Sequence, residues 1–594
     1  MNKNSSHPKL KPYFPADTRI FGKSPYYKFL KNRPKHLQKL KIERYDNIDD
    51  NLKSRRAMGI HIKRLTKSTK SIQDLDFIEF PHKEIPSNVG QDMMKRLTRI
   101  KKISLIWSSS EKKLILLNSL YLKNLKNLRC LVLDGRDEGA FSSSFTSPNV
   151  ERIYSKFFGF LRHIRLEKLE YKVNKNAPYQ KILDFPRAPS SLETWSFSGS
   201  ENCLEKLRDV ANVNQLLNLK HLQKLKRLEM LAPLSLDLLN LVLGTIPQPQ
   251  ALKTLAFKVT NNETIIEDFL SRTRALLAKY QGLEHLAVSS ESWSDLFLFN
   301  RNVSWKLKGL SIEIRAARRE DLKSLRKFFG PQQATLESLI LRLRFEEEPE
   351  TFLEEMYDFI DEIDCLKKLK TLRIGFATKT KGRDDRWFFS QLNMGEKEIN
   401  SLLILPLLVN VINELKDLKD LGLYYVGANF EKDFEGFFQA LQRKSHNVET
   451  VEVNLAGYKI QKRDLEVLVK TLPQLKSLET LKIRNFVISD PDFFKYFAET
   501  IHRCSRLGCL VLADVKVDLP EYNPQEMLDM LKRLLQKKNL THIEFRDGSG
   551  DYKGYDSCEK LRLNKLYEEC PHIQTMIVPI QTYHFEFPSK WKGI

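Results

Sequence analysis

A pattern of spaced apolar positions, L-x-x-L-x-L, recurs along this 594-residue chain, with other apolar residues often replacing leucine. Single steps between copies run from 24 to 49 residues, and the mean step is about 32, a length typical of solenoid repeats. The last two apolar positions alternate with other residues, which indicates a short strand with one buried face. Ten copies follow the pattern closely, beginning at Leu128, Leu252, Leu283, Leu336, Leu369, Leu418, Val448, Leu478, Leu507 and Leu540, and eight weaker ones begin at Leu37, Ile72, Ile100, Leu166, Leu192, Leu225, Leu307 and Ile573.

Amphipathic helix patterns lie between the predicted strands. Pro491 follows Asp490 at the start of one helix, and two others are predicted over 463–472 and 349–366. One strand and one helix cannot bury their own apolar faces, but stacked units can. A fourth helix is predicted by an N-cap at Asn523, a proline at the first helical position, Pro524, and a glutamate in the first turn, Glu526. They precede an apolar stripe formed by Met527, Leu528, Leu531, Leu534 and Leu535.

These repeats resemble the leucine-rich-repeat superfamily, in its long-repeat α/β subclass typified by ribonuclease inhibitor. The resemblance covers 37–594 and implies an α/β solenoid of about 18 irregular repeats, a curved horseshoe with parallel strands on the concave face and helices on the convex face. An ordinary leucine-rich helical protein is the alternative, and the third apolar position argues against it because it breaks helical spacing. The chain departs from the family where Asn or Cys usually holds the turn after the strand, so we expect that turn to be held differently. The residues found there are Arg344, Val426, Ala456, Phe486 and Val515.

The positive charge is concentrated near the start of the chain. The net charge is +23, and residues 1–70 contain 19 Lys and Arg against 5 Asp and Glu, while 71–130 contain 11 against 6. We predict that 1–36 is a basic, partly disordered segment with prolines and aromatic residues. A basic region of this kind favours a polyanion partner, a nuclear import signal or a solvated tail. The candidate polyanion-binding residues are Lys53, Arg55, Arg56, Lys63, Arg64, Lys67 and Lys70.

Several protein classes are disfavoured by the sequence. No apolar run is long enough to span a bilayer, and the first residues lack the apolar core of a secretory signal. Seven cysteines in a chain of this length, with no C-x-x-C pair, do not indicate a disulfide framework or a zinc site. We therefore expect a chain without a membrane span, located in the cytoplasm or alternatively in the nucleus.

No catalytic constellation stands out. Gly22-Lys23-Ser24 matches the end of a phosphate-binding loop, but Asp17 occupies the position of its first glycine and Pro25 interrupts the helix that should follow. We predict no enzymatic activity, no cofactor and no metal site.

In leucine-rich-repeat proteins of this subclass, the side chain between the last two apolar positions is exposed on the concave face. Along the repeats this column has no stripe of one charge and no ladder of aromatics, so it favours a protein partner over a nucleic acid. The column is Lys41, Asp76, Ser104, Val132, Glu170, Ser196, Glu229, Ala256, Ala287, Ser311, Ile340, Arg373, Gly422, Glu452, Lys482, Val511 and Glu544. Its C-terminal part and the flanking positions are the most polar, and there we place the candidate partner-binding residues Tyr424, Glu452, Asn454, Lys482, Arg484, Glu544 and Arg546.

The longest step, from Leu369 to Leu418, predicts an insertion loop over about 376–395. Its charged segment contains Arg383 and Arg386 and is followed by Trp387. Because interface hot spots favour tryptophan and arginine, these three residues are further candidates for partner binding. The alternative is that Trp387 only packs the loop against neighbouring repeats.

The sequence thus predicts a monomeric, non-enzymatic scaffold that binds another protein through the concave face and edge loops. One alternative is a nucleic-acid or anionic-surface binder acting through the basic N-terminal region. Another is an F-box-like ubiquitin-ligase substrate adaptor, although the region before Leu37 is shorter than that module needs.

Overall fold

In the computed structural model the chain divides into two units, and each is described by itself. The predicted segment 1–36 lies outside the described residues, and one continuous solenoid over 37–594 stays a prediction. The first unit covers 39–283 and the second 284–588. The structure describes 39–43, 74–78, 99–107, 126–135, 164–173, 190–199, 219–260, 267–297, 305–345, 353–378, 404–424, 430–519, 524–547, 575–580 and 583–588.

The strands of the first unit pair in parallel, each with the next along the chain. The shortest have five residues, as expected for strands that bury one face of a repeat. They are β1 (Lys39–Glu43), β2 (Asp74–Ile78), β3 (Lys102–Trp107), β4 (Cys130–Gly135), β5 (Lys168–Val173), β6 (Thr194–Gly199), β7 (Arg227–Leu234) and β8 (Thr254–Val259).

The strands of the second unit also pair in parallel and in chain order, from the first to the tenth. The eleventh, which the repeat pattern does not predict, pairs antiparallel with the tenth. They are β9 (His285–Ser290), β10 (Gly309–Ala317), β11 (Ser338–Phe345), β12 (Thr371–Thr378), β13 (Asp420–Tyr424), β14 (Thr450–Ile460), β15 (Thr480–Ile488), β16 (Cys509–Val517), β17 (His542–Asp547), β18 (Thr575–Ile580) and β19 (Tyr583–Pro588).

A strand begins two residues after the start of every one of the eighteen copies, the weak copies included. The copy at Leu369 leads into β12 at Thr371, for example, and the copy at Leu37 into β1 at Lys39. The predicted parallel strands are therefore confirmed, and the fold of each unit is the predicted α/β stack of leucine-rich repeats.

Helices follow many of the strands in the described residues, and neighbouring helices pack against each other. In all four places where the sequence predicts a helix, the observed helix begins within about four residues of the predicted start, the usual uncertainty of helix ends. The helix opened by Asp490 begins at Phe493. The helices are α1 (Leu236–Thr245), α2 (Glu267–Leu277), α3 (Ser294–Phe297), α4 (Arg319–Phe329), α5 (Leu353–Asp364), α6 (Ile404–Glu414), α7 (Phe430–Arg443), α8 (Lys462–Thr471), α9 (Phe493–Arg503) and α10 (Pro524–Leu535).

The apolar positions of the repeat form the core. On β11, Leu339, Leu341, Leu343 and Phe345 are buried and alternate with less buried residues. Burying one such side chain contributes roughly 1.5–3 kcal/mol, so the repeated pattern supplies the main driving force for stacking. We call the side of each sheet that carries the alternating, less buried residues the open face.

A second row of interactions, the edge ladder, is formed in the described ranges by the residue that immediately precedes many of the strands. The backbone N–H groups of Lys308 and Gly309 both donate to the carbonyl of Glu284, and Lys370 and Thr371 repeat this on Glu337. The side chains pair as well, with Lys308 Nζ 2.9 Å from Glu284 and Lys370 Nζ 2.7 Å from Glu337. Such exposed ion pairs contribute little, so the backbone bonds carry this row.

The turn after the strand is held differently from the usual repeat, as expected. Phe486 and Val515 stand where the family places Asn or Cys, and both are buried within strands that continue past this point. The residues just before them, Asn485 and Asp514, have φ of 51° and 57°, a conformation that Asn and Asp tolerate better than most residues. The chain therefore bends at these residues and resumes pairing.

Buried aspartates hold the following turn into the helix. One carboxylate oxygen of Asp321 accepts from the N–H groups of Trp293 and Ser294 in the previous repeat, and the other accepts from the N–H of Arg318. Asp464 accepts from the N–H of Gln461 and from the hydroxyl of a nearby tyrosine. A carboxylate at the first helical turn is also favoured by the helix dipole.

The predicted insertion of about 376–395 begins later than expected. Strand β12 runs to Thr378, and Phe376 is buried at a core position. The apolar alternation continues two residues beyond the pattern, which keeps 376–378 in the strand. Arg383, Arg386 and Trp387 lie outside the described residues, and their exposure stays a prediction.

Candidate functional site

The parallel register places the predicted column in one line on each unit. In the second unit Ile340 pairs with Arg373, Arg373 with Gly422, Gly422 with Glu452, and Glu452 with Lys482. The line continues from Lys482 through the next two strands to Glu544, and the column from Lys41 to Ala256 is in register within the first unit. Residues that are about 30 positions apart in the sequence therefore become neighbours on adjacent strands.

The most concentrated group of polar side chains on this line surrounds the carboxylate of Glu452. Lys482 Nζ and Arg373 Nη1 each lie 3.5 Å from its Oε2, and Arg484 Nε donates to its Oε1 at 3.1 Å. The Glu452 side chain is only 6% exposed, whereas the three cations are 25–29% exposed. The long basic side chains thus cover the carboxylate and keep part of their own surface open to a partner.

Arg373 on β12 also contacts two residues of β13, the strand that lies between it and Glu452. Its Nη2 lies 3.0 Å from Asp420 Oδ2, and its Nη1 donates to the hydroxyl of Tyr424 at 3.3 Å. Burial, followed by the negative charge of Glu452, raises the pKa of Tyr424 to about 12. The tyrosine is therefore a neutral hydrogen-bonding group at physiological pH. We call Arg373, Asp420, Tyr424, Glu452, Lys482 and Arg484 the Glu452 cluster.

A glycine makes room for this arrangement. A Cβ atom on Gly422 would lie 2.9 Å from Arg373 Cγ and 3.1 Å from the hydroxyl oxygen of Tyr424. Gly375 is similar, since a Cβ there would lie 3.1 Å from Tyr424 Cβ. Both side chains can therefore lie close against the sheet only because these two positions have no side chain.

A further arginine borders the cluster. Arg342 on β11 is in register with Gly375 on the next strand. Burial lowers its pKa, and the positive charge of Arg373 lowers it further, while Glu313, Tyr424 and Glu452 oppose the effect. The charged form of Arg342 is thus less favourable here than in water.

The structure brings four of the predicted partner-binding residues together, namely Tyr424, Glu452, Lys482 and Arg484. Asn454 is 6% exposed and pairs in register with Arg484. Glu544 lies two strands away, where its Oε2 is 3.6 Å from His542 Nε2. Arg546 belongs to β17, but its side chain is outside the described set. The seven candidate polyanion-binding residues, from Lys53 to Lys70, also lie outside the described residues.

Sequence reasoning did not select Asp420, Arg342 or the role of Gly422, although Gly422 and Arg373 are in the predicted column. The signal for the first two was present in the alternation, because residues two positions before and after the column share its face. Their contacts depend on which side chain stands on the neighbouring strand, and single repeats do not contain that information.

In the ranges that the structure describes, no group of three or more His, Cys, Asp or Glu residues is arranged to hold a metal ion. None of the helices described there has the length and apolar character needed to cross a membrane.

No protein-family model and no curated protein sequence matches the chain. Among solved structures, it is similar to the crystal structure of the Rad7 and Elc1 complex in yeast, with 12% identity, coverage of 74% of this chain and 85% of that chain, and a TM-score of 0.34. The leucine-rich-repeat-containing protein LegL7 from Legionella pneumophila is 13% identical, with 61% and 97% covered and a TM-score of 0.30. Likenesses at this level carry no argument about partner or activity.

Proposed function

We propose that this chain is a non-enzymatic scaffold that binds another protein, and that the partner docks on the open face of the second unit. The observation that carries the proposal is the Glu452 cluster, in which three cations are fixed by one buried carboxylate and remain about a quarter exposed. Polar groups held in place before binding lose little conformational freedom when a partner arrives, which favours affinity and specificity. In the ribonuclease-inhibitor-like subclass that we also propose, this side of the sheet is the concave face.

The test uses two neutral variants that add bulk without changing charge. Ser311→Trp combined with Thr480→Trp places two tryptophans on the open face, whereas Gln439→Trp combined with Gln536→Trp places two tryptophans at exposed positions in and next to the helices. Partners are captured with the full chain, identified by mass spectrometry, purified and titrated against each variant. We expect the open-face variant to lose binding and the helix variant to keep it. A partner that is lost only with the helix variant would show that the docking surface lies elsewhere.

Two further regions belong to the proposal, and both lie outside the described residues. Arg383, Arg386 and Trp387 are proposed as an anchor beside the docking surface, and Trp387→Ala tests it. Lost partner binding with an unchanged melting temperature supports an anchor, whereas a drop of several degrees indicates that the tryptophan is structural.

The second region is the basic segment that contains Lys53, Arg55, Arg56, Lys63 and Arg64, together with Lys67 and Lys70. If it binds a polyanion, retention of the full chain on heparin should fall steeply with salt, because each neutralised phosphate or sulfate releases counterions. Neutralising these residues with glutamine should remove that dependence. Equal retention of both proteins would limit the segment to a solvated tail or an import signal.

A further inference from the structure

The open face of the second unit carries an excess of positive charge on five adjacent strands. From β11 to β15, the positions that alternate with the core hold five cations and two carboxylates. Adjacent strands lie about 4.8 Å apart, so this surface spans roughly 20 Å. The cations are Arg342, Arg344, Arg373, Lys482 and Arg484, and the carboxylates are Asp420 and Glu452.

The cations converge on one point. Arg373, Lys482 and Arg484 all lie within 3.5 Å of the Glu452 carboxylate, and their outer surfaces remain accessible. A single buried carboxylate cannot neutralise three cations, and Asp420 contributes only on the Arg373 side. A second anion placed above the Glu452 cluster would therefore meet the charges of three fixed cations, and Lys482 and Arg484 would supply charge-assisted hydrogen bonds. The guanidinium of Arg373 contributes its charge, since its N–H groups are engaged by Asp420, Tyr424 and Glu452.

The neighbouring Arg342 adds a further, partly buried positive charge to this face. The pKa of Arg342 is lowered by burial first and then by Arg373, although three nearby groups raise it. An additional anion on this face would offset part of the cost of burying the charge of Arg342.

We propose that the Glu452 cluster is a carboxylate-binding site that receives an acidic segment of the partner protein. This inference rests on the proposed function and specifies the chemistry of the partner. One carboxylate of the segment lies over Arg373, Lys482 and Arg484, and a second carboxylate reaches Arg342.

The surface fits a carboxylate segment better than a nucleic acid. Asp420 and Glu452 lie inside the group and repel a continuous phosphate backbone, whereas separate carboxylates can pass between them. Nucleic-acid grooves combine a basic track with several stacking aromatics. On the described open face of β11 to β15 the aromatic residue is Tyr424, whose hydroxyl is bound by Arg373.

The test measures binding of a fluorescein-labelled glutamate decapeptide to the full chain by anisotropy, at about 50 mM and about 200 mM salt to vary screening. Lys482→Gln combined with Arg484→Gln should weaken binding about tenfold, which corresponds to about 1.4 kcal/mol. The matched control, Lys476→Gln combined with Arg506→Gln, removes the same two charges from exposed positions in the turns that precede β15 and β16. It should change the affinity less than about twofold, because screening limits long-range effects.

A third variant works in the opposite direction and does not depend on a loss of binding. Glu452→Gln removes the internal carboxylate that competes for the three cations. It should tighten peptide binding about threefold or more, a gain that a misfolded protein would not show. Unchanged or weaker binding by this variant would overturn the proposal, as would equal losses in the two double variants, which would reflect net charge alone.

A decamer of single-stranded DNA separates the remaining outcomes. If the open-face double variant weakens DNA binding but not glutamate binding, the occupant is a nucleic acid and the proposal is wrong. The neutral Ser311→Trp and Thr480→Trp variant distinguishes this failure from failure of the proposed function. If the tryptophan variant abolishes partner binding but Lys482→Gln with Arg484→Gln does not, the partner docks on the open face without an acidic segment. The proposed function would then stand and the carboxylate-binding site would be wrong.

Discussion

Two glutamates three positions apart are in different electrostatic settings. Glu449 belongs to the edge ladder, is 44% exposed and pairs with one lysine, since Lys419 Nζ lies 2.8 Å from its carboxylate. Glu452 on the open face is 6% exposed and is shared by Arg373, Lys482 and Arg484. Water and ions screen the pair of Lys419 and Glu449. The carboxylate of Glu452 depends on its three cations, because a buried charge without partners is costly. The position within the repeat thus decides whether a glutamate forms an exposed ion pair of small effect or a buried contact that stabilises the fold.

The largest expected effect comes from removing the shared carboxylate. Glu452→Leu leaves three partly buried cations without their common counterion, and we expect the free energy of unfolding to fall by about 2–3 kcal/mol, below the range for a fully buried pair because these cations can turn toward water. Urea denaturation measures the change. Glu449→Leu is the control and should leave the curve unchanged. Equal losses in the two variants would remove the distinction between the settings.

The next effect concerns the glycine beneath the cluster. Gly422→Ala places a methyl group against Arg373 and Tyr424, and we expect it to destabilise the fold by about 1–2 kcal/mol through overpacking. Gly436→Ala is the control, because it lies in α7 with no atom near the added methyl group, and should stabilise by roughly 0.5–1 kcal/mol. If Gly422→Ala behaves like Gly436→Ala, the cluster is not packed against the sheet.

A smaller effect is expected in the titration of Tyr424. Its pKa is raised to about 12 by burial and then by Glu452, whereas the unfolded chain titrates near 10. The unfolded state therefore loses the proton first, so this contribution to stability is complete below about pH 10 and is lost progressively up to about pH 12.

The difference in absorbance titration between wild type and Tyr424→Phe isolates this residue. In a Glu452→Gln background its pKa should move back toward 10, because one of the charges that raise it is absent. No movement would mean that burial alone perturbs the tyrosine.

The smallest effect is the coupling across the edge ladder. A double-mutant cycle on Lys419 and Glu449 should give no measurable coupling at moderate salt, because both side chains are about half exposed. The same cycle on Arg484 and Glu452 should give a coupling that survives added salt. A salt-sensitive coupling in the second cycle would place Glu452 in solvent after all.

Much of the fold was predictable because it depends on local patterns. The L-x-x-L-x-L copies predict all eighteen parallel strands and their register, since a side chain that alternates must face the core at every second position. The antiparallel strand β19 was not predicted, because it does not belong to a repeat. The continuation of the strands through Phe486 and Val515 was also missed, since it depends on left-handed conformations at Asn485 and Asp514 that a family pattern does not describe.

The candidate site was likewise predictable in part. The sequence by itself determined that Arg373, Glu452 and Lys482 share a face, because their place in the repeat is the same. Only the tertiary structure decided that Glu452 is buried, that three cations share it, and that Gly422 leaves room for Arg373 and Tyr424. The physical reason is that these contacts join side chains of different repeats, from 30 residues apart for Glu452 and Lys482 to 79 apart for Arg373 and Glu452. Their energies depend on distance and burial, which parallel stacking sets and which no single repeat contains.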